Sequence, residues 1–439
     1  MVAMRWVTVI LLAPALAAQP TYDLLLRNGH VIDPKNGTSE RQDVAVRDGK
    51  IASVAARIDP WQAKKVVDVQ GLYVAPGLID LHTHIVPGAG LRGSLPIDQN
   101  VYPDSHTLRS CVTTAVDAGT TGWRTFPAFK EKIAGQVYTR VFAMLNIVGA
   151  GQGGGESEQN VADMDPEATA AAIKANRELI VGIKTAHYRG PEWVAVERSV
   201  KAGELAGVPV MVDYGAFRPE RPFQELVLKK LRPGDIYTHT YLGAVPMLDE
   251  SGNVLPYLFE AQRRGVKFDA GHGGGSFLFR QAAPAIRQGF LPDSISTDLH
   301  TGSMNGAMNN MLNVMSKFLN MGMKLEDVIE RSTWNPARQI QRPELGHLSV
   351  GAPADISVIR LETGAFGFVD VGGGKLTGTR RLACEMTVRD GRVVYDLNGL
   401  TRTEWNRLDK NYGGPPDRSW DWVIGSPMLG LNAPAAQRR

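Results

Sequence analysis

Short alternations of apolar and polar residues open the chain: YDLLLRNGHVID from Tyr22, DVAVRDGKIASVA from Asp43 and KKVVDVQGLYVA from Lys64. A period of two puts every second side chain on one face, which predicts short half-buried β-strands. Asn28-Gly29, Asp48-Gly49 and Gln70-Gly71 stand where hairpin turns between them are expected. The same pattern returns late, in ADISVIRL (354–361) and CEMTVRDGRVVYD (384–396), and VRDG occurs both at 46–49 and at 388–391. We therefore expect a small β-sandwich domain built from both chain ends, residues 19–75 and 345–400.

The stretch between, 76–344, has another rhythm. Apolar strand-like runs occur at 78–84, 122–128, 140–148, 179–186, 208–214, 235–241, 266–272 and 293–299. Helix-like stretches such as 164–179, 192–206 and 307–322 lie among them. From His84 to Asp298 the spacing averages about 31 residues per unit, the size of a βα repeat, so the fold class expected is α/β, a (β/α)8 TIM-type barrel. A doubly wound sheet would need a glycine-rich nucleotide loop after its first strand, and none is there. The glycines of 149–155 precede Glu156 and Glu158 without the Gly-Lys-Ser/Thr ending of a phosphate loop, and read as a mobile active-site loop. In the tail, 401–439, Trp405, Trp420 and Trp422 are expected to pin the chain across the surface.

Composition narrows the function. In 439 residues, 48 Lys and Arg nearly balance 45 Asp and Glu, a formal charge of +3 with no basic stripe, which gives no reason to expect nucleic acid. Residues 1–18 carry Arg5, an apolar run and a small-residue site ending at Ala17-Ala18, the layout of a secretory signal peptide. A periplasmic or secreted product without a membrane span is expected, acting on a small molecule; a homo-oligomer is compatible with this. Cys111 and Cys384 stand too far apart to suggest a disulfide framework, and we expect unpaired core residues.

The chemistry begins at PGLIDLHTH (76–84), where Asp80, His82 and His84 share one face of a strand. Two imidazoles at a rigid strand tip suit a divalent metal. Other predicted strands end in Lys184, Asp213, His239, His272 and Asp298, all at the face where such barrels keep their active sites. Lys184 stands in the apolar run LIVGIKTA. A buried ammonium is costly unless paired, so it either meets an aspartate across the barrel or loses its proton and adds carbon dioxide to become a carbamate.

These residues resemble the amidohydrolase superfamily of metal-dependent hydrolases. PGLIDLHTH, Lys184, His239 in RPGDIYTH, DAGHGGGSF and Asp298 in SISTDLH are most similar to its amidohydrolase/deacetylase, dihydroorotase-like group. The resemblance implies two divalent metal ions, most often zinc. His82, His84 and Asp298 would hold one, a strand-five and a strand-six histidine the other, and carboxylated Lys184 would bridge them. This chain has Asp213 in place of the strand-five histidine, and we expect Asp213 to ligate. The alternative is that it only accepts a hydrogen bond from His239 or a nearby amide. Where dihydroorotases carry arginine two places after the second histidine, Val86 stands here. The activity implied is hydrolysis of an amide or ester bond of a small molecule by a metal-bridging hydroxide, with Asp298 as proton shuttle. Ring opening of a cyclic amide is the alternative, and a metal-free binding scaffold the rival outside catalysis. His272 and Asn146 are candidate substrate contacts; His187, Tyr188 and His300 lie near strand ends too, and each alone reads as structural.

Overall fold

The structure, a computed structural model, describes residues 20–90, 98–153, 156–410 and 412. The signal-peptide segment, Trp420 and Trp422 fall outside them. Five strands lead: Tyr22–Asp33 (β1), Thr38–Arg47 (β2), Lys50–Ala55 (β3), Ala63–Asp68 (β4) and Tyr73–Pro76 (β5). Seven parallel strands follow: Leu78–Thr83 (β6), Val112–Gly122 (β7), Arg140–Asn146 (β8), Ile180–Thr185 (β9), Val210–Val212 (β10), Ile236–Tyr237 (β11) and Lys267–Phe268 (β12). Ile356–Val369 (β13), Lys375–Arg389 (β14) and Arg392–Asp396 (β15) close the chain's regular structure.

The terminal strands join into one sheet in the order β15-β14-β13-β5-β1-β2-β3, with β4 also paired to β1. Ile51 of β3 and Met386 of β14 share a single buried cluster, so the sheet curls around its own core. Both VRDG repeats make two-residue hairpins. Asp48-Gly49 and Asp390-Gly391 all have positive φ, the conformation whose twist matches the flanking strands. The two turns touch: a β-carbon on Gly391 would stand 2.9 Å from Gly49 Cα. Asn28-Gly29 is instead a bulge inside β1, with Asn28 at φ 65°. It divides β1 so that one half pairs with β4 and the other with β5.

The second sheet is a barrel. Seven strands run in order from β6 to β12, and the segment 294–299 closes it through parallel bridges from Ser294 to Asp269 and from Leu299 to Thr83. One expected strand is displaced. The run at 122–128 gives way to β7 at Val112–Gly122, and Phe126–Lys132 is a helix with Pro127 in its first turn. The reason is physical: all eleven residues of VTTAVDAGTTG are buried, the four threonines and Asp117 included, so no apolar alternation marks the strand. The expected helices stand at Pro166–Ala175, Val194–Ala206 and Met311–Asn320.

Cys111 and Cys384 are not unpaired. They form a disulfide between the residue preceding β7 and a residue of β14, with Cα atoms 5.5 Å apart. Their separation of 273 residues hid this, because β14 lies under the barrel floor, a relation no local pattern encodes. Trp405 stands 70% exposed rather than packed on the surface. Among the described residues, no helix is long and apolar enough to cross a membrane.

Candidate functional site

A cavity of about 230 Å³ opens at the C-terminal ends of the barrel strands, lined by the side chains of His82, His84, Lys184, Asp213, His239 and Asp298. Gln99, Gln152, His187 and His300 complete its wall. Several lining residues leave their strands in left-handed backbone: His187 at φ 55°, His239 at 62° and Asp298 at 51°. Such conformations cost of order 1 kcal/mol or more in a non-glycine residue and gather where side-chain direction matters. Lys184 reaches in from β9 because Gly119, at φ 87°, packs against its stem; a β-carbon there would lie 2.7 Å from Lys184 Cβ.

The hydrogen bonds place a hydrogen on Nδ1 of four of these histidines. His82 Nδ1 lies 3.0 Å from Thr238 Oγ1, whose own hydrogen goes to Asp269. The ring must therefore donate from Nδ1, and Nε2 keeps a lone pair. His84 does the same toward Thr120 Oγ1, at 3.0 Å, while Thr120 donates to Asn100. His239 Nδ1 faces the carbonyl of Gly271 at 2.6 Å, an acceptor only. His187 Nδ1 faces Glu158 Oε2 at 2.8 Å. Four Nε2 atoms are thus turned inward; against burial, Asp213 raises the His187 imidazole well above its ordinary range and raises that of His239, so a proton as well as a metal can sit between ring and carboxylate.

Each meets a carboxylate oxygen, and His82 Nε2 meets Lys184 Nζ as well. His84 Nε2 stands 3.1 Å and His82 Nε2 3.5 Å from Asp298 Oδ1. His187 Nε2 and His239 Nε2 stand 3.2 Å and 3.3 Å from the same oxygen, Asp213 Oδ2. Lone pairs facing carboxylates at hydrogen-bond distance repel unless a cation or proton lies between. The donor set, imidazole nitrogen and carboxylate oxygen, fits divalent metals. His82, His239 and Asp298 have ligand atoms within 4.8 Å of one another.

Burial alone would raise the Asp298 carboxyl, but His82, His84 and His300 hold it well below the usual carboxylate range. For Asp213, His187 and His239 likewise outweigh burial and hold the carboxyl down. Burial lowers the Lys184 ammonium, its Nζ 2.8 Å from His82 Nε2. No Lys184–Asp contact is among the ion pairs of the described residues. Below the site, Asp80 takes the Thr297 amide and hydroxyl and fixes the residue before Asp298; burial pushes its carboxyl up to about 7.

Two expected substrate contacts lie elsewhere. His272 is fully buried, stacked on Phe277, with Nε2 taken by Lys317 Nζ at 2.7 Å; the strand turned its ring into the helical shell. Asn146 is also buried, and its amide nitrogen donates to Glu158 Oε1 and to the carbonyl of Gly119, so it supports the wall from behind. Tyr188 bonds Glu192 outside the cavity. His187 and Glu158, by contrast, belong to the site, although each looked ordinary alone. Gln99 Nε2 and Gln152 Oε1 are buried and have no partner among the described residues; nothing in their sequence context marked them. His300 differs from the other four lining histidines. Its Nδ1 accepts from the amides of Gly302 and Ser303, so Nε2 carries the hydrogen.

A larger cavity, about 390 Å³, opens at the opposite strand ends. Four of its charged groups are already paired, Arg232 with Asp235 and Lys267 with Asp293, and no histidine lines it, so the chemistry is assigned to the smaller one.

Comparison with known proteins agrees with this fold. Residues 279–394 match the amidohydrolase family. The chain is 34% identical over 323 residues to a deacetylase of Brucella anthropi, covering 72% of this chain and 78% of that protein. A crystal structure of an adenine deaminase superposes with a TM-score of 0.78 at 28% identity, covering 85% of this chain and 100% of that one. A dihydroorotase crystal structure superposes at 0.72 with 30% identity, covering 85% and 99%.

Proposed function

The chain belongs to the amidohydrolase superfamily, and we propose that it hydrolyses the carbon–nitrogen bond of a small linear N-acyl compound with the help of divalent metals. The observation that carries this reading is the set of four inward Nε2 atoms converging on Asp298 and Asp213 beside a buried lysine. His82, His84 and Asp298 would hold one metal, and His239 with Asp213 the second. Lys184, whose ammonium burial disfavours, would serve both once carboxylated by carbon dioxide. When bound, two such metals, of which zinc suits this donor set, supply a Lewis acid for the acyl carbonyl and make water a nucleophile at neutral pH.

The chain's own groups do the rest. Asp298 accepts the proton of the attacking water and returns it to the leaving nitrogen. His300 Nε2 lies 3.9 Å from Asp298 Oδ2 and offers a hydrogen at that edge of the cavity. Gln99 Nε2 and Gln152 Oε1 give a buried donor and acceptor, the pair an amide substrate needs; unmet, each costs about 1–3 kcal/mol. A volume of 230 Å³ lies below the roughly 300–1,000 Å³ of drug-sized sites and supports a short acyl group.

Ring opening of a cyclic amide is the second reading, favoured by the likeness to the dihydroorotase structure. Against it, no arginine lines the cavity among the described residues, so a ring carboxylate lacks a bidentate partner. Export is part of the proposal. It rests on the signal-peptide pattern of 1–18, and the Cys111–Cys384 disulfide supports it, since such bonds persist in oxidising compartments. The test is a screen of metal-loaded protein against N-acyl amines, esters and cyclic ureides. Turnover of N-acyl amines is expected; turnover no faster than the Asp298→Asn variant for every amide and ureide would overturn the reading.

A further inference from the structure

We infer that His187 is a metal ligand, supplying from beyond the end of β9 the imidazole that the fifth barrel strand lacks, so that Asp213 adds to the second set rather than replacing a histidine in it. This rests on the two-metal reading above. The sequence-based expectation gave the vacated place to Asp213 alone. The geometry shows a different arrangement, in which Asp213 Oδ2 lies between two imidazoles, His187 Nε2 at 3.2 Å and His239 Nε2 at 3.3 Å.

Three observations separate His187 from an ordinary surface histidine. Its Nδ1 is committed to Glu158, a carboxylate 1% exposed and held in turn by Asn146. A carboxylate behind a histidine fixes the tautomer and strengthens the opposite nitrogen as a metal donor, the arrangement found behind metal-ligating histidines. Next, the residue sits at φ 55°, and the side chain of Gln159 donates to its carbonyl at 2.9 Å, which helps hold the backbone in that conformation. Finally, Nδ1 donating outward and Nε2 directed at a carboxylate oxygen of the cavity are shared by His84, His239 and His82, whose Nε2 also meets Lys184 Nζ. Neither remaining histidine near the barrel mouth has it: His272 Nε2 meets Lys317 and, among the described residues, is paired with no carboxylate, and His300 has the opposite tautomer.

The exchange has a chemical consequence. A set of two imidazoles and Asp213, together with carboxylated Lys184, is more anionic than one with a third neutral ligand instead of the aspartate. Harder metals such as manganese should compete there better than in an all-histidine set.

Metal content of the full chain, loaded with zinc or cobalt(II) and dialysed, tests the inference apart from activity. Wild type should retain about two metals per chain and His187→Ala about one, with loss of part of the cobalt(II) d–d absorption. Free imidazole should restore the second metal to His187→Ala. Glu158→Gln, which leaves the ligand but not its orienting charge, should bind the second metal roughly 10–100-fold more weakly. His300→Ala, a change in the same cavity at a ring of opposite tautomer, should keep both. Two metals held by folded His187→Ala as tightly as by wild type would overturn the inference while leaving the two-metal reading intact. A wild type that takes up one metal would overturn the two-metal reading; if His187→Ala then held that metal with unchanged affinity, His187 would be no ligand under either.

Discussion

Replacing Lys317 by methionine removes a buried amine whose charge the fold opposes. Lys317 lies on the helix Met311–Asn320, fully buried, with Nζ 2.7 Å from His272 Nε2 and 2.6 Å from the carbonyl of Ala307. Burial pulls its ammonium from 10.5 down to about 7, with Asp370 offsetting only part. His272 cannot help by ionising, since burial and Lys317 itself hold it at about 3. The unfolded chain therefore binds more protons than the folded one between about pH 7 and 10.5, and this group makes stability rise with pH across that window. Below pH 7 both states hold the proton and the cost is fully present. The slope approaches about 1.4 kcal/mol per pH unit, and over the whole window the term reaches at most about 5 kcal/mol. Methionine is similar in length and does not titrate. It also strands two acceptors at about 1–3 kcal/mol each, a penalty independent of pH, so the slope rather than the stability at one pH is decisive. Urea midpoints of both proteins from pH 7 to 9.5 measure it, and tyrosine ionisation, common to both, cancels in the difference. The stability of wild type relative to Lys317→Met should rise by about 1 kcal/mol per pH unit. Parallel curves would show that Lys317 keeps its ordinary affinity for protons and would refute the reasoning.

Asp298→Asn should lower kcat by about 10²–10⁴ with little change in KM, because the lost proton transfer matters in the transition state; steady-state kinetics giving a near-normal kcat would move the proton shuttle elsewhere. Gly119→Ala places a β-carbon 2.7 Å from the Lys184 stem at φ 87°. We expect about 2–4 kcal/mol of destabilisation and faster metal loss to a chelator, and an unchanged Tm would exclude the close approach. The Cys111→Ala/Cys384→Ala double variant releases a loop of 273 residues and should lose up to about 5 kcal/mol by chain entropy. Its denaturation midpoint should match that of reduced wild type, and equality with oxidised wild type would argue against the bond.

Much of the site was legible along the chain because a strand's period is local. Asp80, His82 and His84 share a face whatever the rest of the protein does, and a lysine inside LIVGIKTA is conspicuous wherever it folds. Regular spacing of apolar runs likewise gave the barrel, and the two VRDG repeats gave their turns. β7 escaped because full burial on both faces erases alternation, and the bulge at Asn28-Gly29 looked like a turn because both need a residue at positive φ.

What the chain could not announce depends on distances between elements. His187 reads as a loop histidine until barrel closure sets Asp213 before it and Glu158 behind it. His272 and Asn146 sit at strand ends as expected, yet a rotation about the strand turned one toward Lys317 and the other toward Glu158. Cys111 meets Cys384 only because the terminal sheet docks under the barrel. Side-chain type and periodicity follow from bonds a few residues long and can be read in order. Which lone pair faces which carboxylate is fixed by strands tens to hundreds of residues apart, and only their packing brings those atoms within 4 Å.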